Sequence, residues 1–140
     1  MNSLHVARFT VAYWCVFMAV LLPLVCAGLA KSGGLGKPRR EGGYDNHDPR
    51  AWLARQSDWY ARANAAQANS FEALPFFIGA VIIAHQLGAA QTLLDILAFV
   101  FIMLRVFFIL MYVADMPRAR SAAWCAAFLV NGVIFFIGYW

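Results

Sequence analysis

The sequence predicts an all-α integral membrane protein, a four-helix up-down-up-down bundle built as a single domain over residues 1–140. Three observations predict it. Apolar residues make up 63% of the chain and charged residues 13%, against roughly 45–50% and about 25% in soluble domains. Four long apolar stretches follow one another, and most Lys and Arg residues sit in the connections between them. A soluble chain of 140 residues has too much surface to cover with so few polar side chains. A conventional soluble globule, a disordered chain and a nucleic-acid-binding module are therefore excluded, despite a net charge of +4.

The first span is expected over about residues 9–30, between Arg8 and Lys31. That stretch suits a bilayer-crossing helix and exceeds the about 7–15 apolar residues of a signal peptide, so a retained helix is expected. Residues 31–49 hold five glycines, two prolines and several charges and read as a polar loop. Asp48-Pro49 then supplies a cap and a first helical position. No breaker follows until Pro75, which predicts one long second helix over about 51–87, amphipathic at first and spanning later, with a kink at the proline. Gly88-Ala89-Ala90-Gln91 makes a turn into a third span over about 92–114. Asp115-Met116-Pro117 ends it, and a fourth span covers about 118–139, with Tyr139-Trp140 as an interfacial anchor.

Basic residues crowd the first and third connections and are missing from the second. The positive-inside rule accordingly places the loops 31–49 and 115–118 in the cytoplasm, at the inner membrane if the source is bacterial. The three cysteines, Cys15, Cys26 and Cys125, lie within apolar stretches and read as small buried hydrophobes. No metal-ligand spacing, phosphate-binding loop or nucleophile triad is visible in the chain. His85 reads as a satisfied interfacial histidine.

Polar residues inside the spans carry the functional information. At helical pitch Arg55, Arg62 and Asn69 are heptad-spaced, and Asp58 and Glu72 fall near the same line. A charge within a span costs about 2.5–3.5 kcal/mol, so such groups must face a partner, another subunit or a wet cleft. Arg105 in the third span, with Phe108 and Tyr112 on its face, is the expected countercharge for Glu72. Convergence of Arg62, Glu72 and Arg105 on an internal crevice is the central expectation.

The run Arg62-Ala-Asn-Ala-Ala-Gln-Ala-Asn69-Ser-Phe-Glu72-Ala-Leu-Pro75-Phe76, with Arg105 and Tyr112 seven apart and Arg120-Ser121 opening the fourth span, resembles the MAPEG family. These are the membrane-associated proteins in eicosanoid and glutathione metabolism. The resemblance extends over essentially the whole chain and implies a homotrimer with second helices around the axis. It further implies glutathione as co-substrate, bound by Arg62, Asn69, Glu72, Arg105 and Tyr112, and a glutathione thiolate stabilised by Arg120, with Arg118 as the rival position. The expected function is a glutathione-dependent transferase or peroxidase acting on lipophilic small molecules that arrive from the lipid bilayer. A non-catalytic lipid-binding or scaffold protein of the same fold is the alternative, favoured by Ala65 and Phe108, which stand where the enzymes often carry polar donors. A small transporter or channel is the weaker third class, because the polar residues cluster toward one side of the membrane.

Overall fold

The computed structural model describes residues 9–139; residues 1–8 and 140, with His5, Arg8 and the Trp140 half of the expected aromatic anchor, lie outside them. Five helices follow in order: α1 Val11–Lys31, α2 Pro49–Ala54, α3 Asp58–Gln86, α4 Gln91–Val113 and α5 Pro117–Phe136. All except α2 are long and apolar enough to cross a membrane, and no strand is present among the described residues. The protein is a multi-pass integral membrane protein with an all-α, four-span bundle.

Small residues let α1 and α3 approach closely. The buried face of α1 is Ala12, Cys15, Ala19, Pro23, Cys26 and Ala30, and that of α3 includes Ala63, Ala66, Ser70, Phe77, Ala80 and Ala84. The α1 set recurs at three- and four-residue steps and the α3 set at three, four and seven, which is the periodicity of a continuous helix seam. In lipid, where tails are as apolar as side chains, such close backbone contact and dispersion replace the hydrophobic drive. Each of α3 and α4 contacts both α1 and α5. Phe77 and Phe101 stack between α3 and α4 at a centroid distance of 4.1 Å.

A polar chain locks the end of the bundle where α1 begins. Asp95 Oδ1 accepts from the Ala12 backbone N–H (2.9 Å) and from Gln91 Nε2 (2.7 Å), while Gln91 Oε1 meets His85 Nδ1 at 3.2 Å. The carboxylate thus sits at the positive end of α1, a favourable place for negative charge. His85 is satisfied in this network and tilts against the Tyr13 ring.

The expected single helix over 51–87 is in fact two. α2 stops at Ala54, Ser57 is extended, and α3 starts at Asp58 with a left-handed φ of +53°. Aspartate tolerates that conformation better than most residues, because its short polar side chain can bond locally. Gln56 Nε2 donates to the Trp52 carbonyl at 3.0 Å and closes the end of α2. Arg55 therefore leaves the Arg62–Asn69 line, and the five-residue polar stripe is broken. α3 itself runs unbroken through Pro75.

The 31–49 connection is folded rather than slack. Asp48 caps α2 by accepting from the Ala51 N–H at 3.2 Å, with Pro49 at the first turn. Trp52 is buried under the loop and its ring packs edge-on against Tyr44. Asp45 accepts from the His47 N–H at 3.0 Å and pairs with Arg39 at 2.8 Å, and these contacts, the backbone donor first, hold its carboxyl below the usual range. Gly43 lies where a Cβ would collide with the Lys37 carbonyl. Gly43→Ala should open this loop, raising the rate of tryptic cleavage after Arg39 and Arg40 severalfold while helical circular dichroism stays constant. An unchanged cleavage rate would show that the loop relieves the clash at no cost.

Candidate functional site

Arg105 defines the site. It lies eight residues before the end of α4 and is 2% exposed, so its guanidinium is inside the bundle at membrane depth. Its Nη2 donates to Asn69 Oδ1 at 2.9 Å and to Ser70 Oγ at 3.4 Å. Its guanidinium carbon stands 4.3 Å from the centre of the Phe108 ring. Phe108, one helical turn on, therefore offers the charge a π face in place of a hydrogen-bonding side chain.

The expected Arg105–Glu72 ion pair is not formed. Among the described residues the ion pair within 4.0 Å is Arg39–Asp45, in the loop. Asn69 intervenes: its amide oxygen accepts from Arg105, and its Nδ2 lies 3.5 Å from Glu72 Oε2. The reason is helical geometry. Asn69 and Glu72 are three apart on one face of α3, and the shorter side chain reaches inward while the carboxylate stays exposed. Neutral groups hold the buried cation, and the carboxylate is left at the mouth.

Two cavities share this wall. The first, about 190 Å³, is lined by Asn69, Glu72 and Arg105 at one end and by Phe76, Phe101, Trp124, Phe128 and Asn131 along its length. The second, about 270 Å³, is lined by Asn69, Phe108, Tyr112, Arg120, Ser121, Trp124 and Cys125. Arg120 stacks on Tyr112 at 4.3 Å to the ring centre, whereas Arg118 is exposed and lines neither cavity. The geometry so favours Arg120 over Arg118 as the cleft-facing cation.

Arg62 stands apart. Its Nε donates to the Val113 carbonyl at 3.0 Å, capping the end of α4, and it lines neither cavity. Of the expected trio, the structure brings Glu72 and Arg105 to one cavity and keeps Arg62 nearer the membrane surface. Asn69, Tyr112 and Arg120 line the second cavity together. Cys15 and Cys26 are buried, but Cys125 is exposed on the outer face of α5 and borders the second cavity.

Sequence reasoning missed Ser70 and Asn131. Ser70 was hidden beside the more conspicuous Asn69 and Glu72. Asn131 was legible, because Trp124, Ala127, Phe128 and Asn131 follow the i, i+3, i+4, i+7 rule and put one amide on an aromatic helix face.

A four-span helical bundle with a guanidinium buried at membrane depth, beside an amide and an aromatic-walled cavity, defines a multi-pass membrane protein with a polar site inside its helices. The MAPEG family model matches residues 11–140, and the chain belongs to that family. No curated protein and no solved structure matches the chain.

The hydrogen bond between Arg105 and Asn69 should be measurable by a double-mutant cycle. Arg105→Met, Asn69→Leu and the double variant, compared by denaturation in mixed micelles, should give a coupling energy of about 1 kcal/mol. Strict additivity would mean that the two side chains stabilise the bundle independently.

Proposed function

We propose that the protein is a glutathione-dependent membrane transferase or peroxidase acting on lipophilic electrophiles. The observation that carries this reading is the wall common to both cavities: Asn69 and Trp124 border the Arg105–Glu72 cavity and the Arg120–Tyr112 cleft alike. A hydrophilic thiol and an apolar acceptor could lie on either side of that wall within reach of one another.

The donor set fits glutathione, which has two carboxylates, an ammonium and a thiol. Arginine presents five N–H groups, so Arg105 retains donors beyond its bonds to Asn69 and Ser70. Arg62 spends its Nε on Val113, leaving its terminal nitrogens for a carboxylate at the surface. The exposed Glu72 carboxylate suits the ammonium. Arg120, held by the Tyr112 ring, cannot take a proton at neutral pH and would act by stabilising the thiolate. Lowering a thiol pKa by two units needs about 2.7 kcal/mol, which one cation in a partly dry cleft can supply. Glutathione supplies the nucleophilic sulfur; the thiol proton passes to water.

A homotrimer completes this reading. In a single copy the Glu72 carboxylate is exposed on a spanning helix, where facing lipid would cost about 2.5–3.5 kcal/mol. A neighbouring subunit would cover it and supply the rest of the site. The basic loops 31–49 and 115–118 would then face the cytoplasm.

Calorimetry in detergent should detect glutathione binding, and the thiolate ultraviolet absorbance of the complex should rise with bound ligand. Arg120→Ala should reduce thiolate formation and turnover by about tenfold to a hundredfold, with the oligomer unchanged. Unchanged turnover would remove Arg120 from the chemistry. Absence of binding at millimolar glutathione would favour a non-catalytic lipid-binding role, for which the aromatic walls of the first cavity also suffice.

A further inference from the structure

The connection between the first two spans holds a concave site of its own, apart from the cavities around Arg105. Arg39, Arg40 and Arg55 line a cavity of about 700 Å³, with Asp45 and Trp52 also on its wall. That volume falls within the about 300–1,000 Å³ of small-ligand clefts. Its shape is set by the folded loop. Arg39 and Arg40 belong to one 3₁₀ turn, Arg39–Glu41, closed by Gly42 at a φ of +82°. Trp52 is buried, and its Nε1 donates to the Gly42 carbonyl at 3.4 Å. Arg55 follows α2, and its backbone N–H donates to the Trp52 carbonyl at 3.2 Å. The tryptophan thus joins the two segments that carry the arginines.

Charge is the unusual feature of this site. Three guanidiniums border the cavity against one carboxylate, Asp45, which already accepts from Arg39 Nη2 at 2.8 Å. Arg40 and Arg55 are exposed and make no side-chain hydrogen bond or ion pair among the described residues. Like charges around one concavity repel, whereas membrane orientation asks only for basic residues somewhere in the loop. A fold that brings them to one cavity leaves donors in excess for an anion. Guanidinium forks match phosphate oxygens two at a time.

The position supplies the source of the phosphate. Trp52 packs so closely on Gly34 that a Cβ there would overlap its ring, and Gly34 is the last residue of the first apolar span. Lys31, in the last turn of α1, holds its ammonium 4.7 Å from the centre of the Tyr44 ring in the same loop. The cavity therefore lies about one side chain beyond the membrane end of α1, at headgroup level, and the exposed Leu35 offers an apolar contact there. We propose that this cavity binds the phosphate of an anionic phospholipid headgroup. Arg40 and Arg55 are its free donors, and Arg39, anchored by Asp45, is its fixed one. Phosphatidylcholine carries the same phosphate with a cation beside it, which the arginines repel; phosphatidylglycerol carries hydroxyls in that place. The site is separate from the thiol chemistry and does not rest on it.

The test is calorimetry on the purified protein in maltoside micelles, with a micelle blank. The probes are short-chain phosphatidylglycerol, phosphatidylcholine with the same chains, and inorganic phosphate. Phosphatidylglycerol should bind about tenfold more tightly than phosphatidylcholine, equivalent to about 1.4 kcal/mol, and inorganic phosphate should compete with it only weakly. The double variant Arg40→Gln/Arg55→Gln should erase the preference between the lipids. Arg50→Gln removes the same charge from an exposed α2 residue outside the cavity and should keep it. Equal affinities for the two lipids in the unaltered protein would overturn the proposal, and this comparison needs no variant. So would a preference that survives the double variant, or one that Arg50→Gln removes as well, which would mark diffuse attraction to a basic loop. Inorganic phosphate binding as tightly as phosphatidylglycerol would make free phosphate the ligand and overturn the lipid assignment. Glutathione binding stands or falls separately from each of these results.

Discussion

Keeping one guanidinium inside a membrane-level helix bundle is the constraint around which the rest is arranged. Arg105 cannot lose its charge at physiological pH, and an unsolvated cation at that depth is expensive. The bundle answers with an amide from α3, a hydroxyl from the next residue, and the face of a phenylalanine from its own helix. All three are neutral. Their arrangement requires α3 and α4 to keep a fixed register, because a shift of one residue would turn Asn69 away by about 100°. Small residues along the α1–α3 seam, Ser70 among them, help fix that register from the same buried face.

A neutral cradle has a chemical consequence. Direct pairing with Glu72 would have neutralised Arg105 and closed the cavity mouth. Bridging through Asn69 instead leaves a cation on the wall and a carboxylate at the rim. The site keeps both signs of charge, separated by an amide that can donate to one and accept from the other. The zwitterionic ligand proposed above would find complementary ends there, which a closed ion pair would deny it. Phe108 fits the same logic: the ring shields the cation without competing for its remaining N–H groups.

Much of this was legible because intramembrane charge is rare enough to be informative. The number of spans, the turns at Gly88 and at Asp115-Met116-Pro117, and the Asp48 cap all followed from local residue chemistry. Asn69 and Glu72 stood out where a polar stripe entered a span and Arg105 as a charge inside one, whereas Tyr112 and Arg120 took their roles from the family resemblance. The break between α2 and α3 was missed because neither glycine nor proline marks it; Ser57 and Asp58 make it by adopting extended and left-handed backbone. The destination of Arg62 was equally hidden, since its partner is the backbone carbonyl of Val113, 51 residues away. Sequence periodicity tells which face a side chain occupies. It does not tell which of several acceptors on that face will win.

The two ends of the bundle use their polar residues differently, and this argues for where chemistry can occur. Around α1's first turn, Asp95, Gln91 and His85 form a chain that ends on a backbone N–H of that helix. Such a chain ties α1, α3 and α4 together at that end of the bundle. Around Arg105 the bonds are incomplete: an exposed carboxylate, an arginine with unused donors and, deeper along α5, an amide oxygen without a partner. Incomplete polar groups at membrane depth persist only where something else completes them, whether water, a ligand or a neighbouring subunit. The proposed binding would therefore fall at the Arg105 level, where these groups remain open, while the His85 network fastens α1 to α3 and α4.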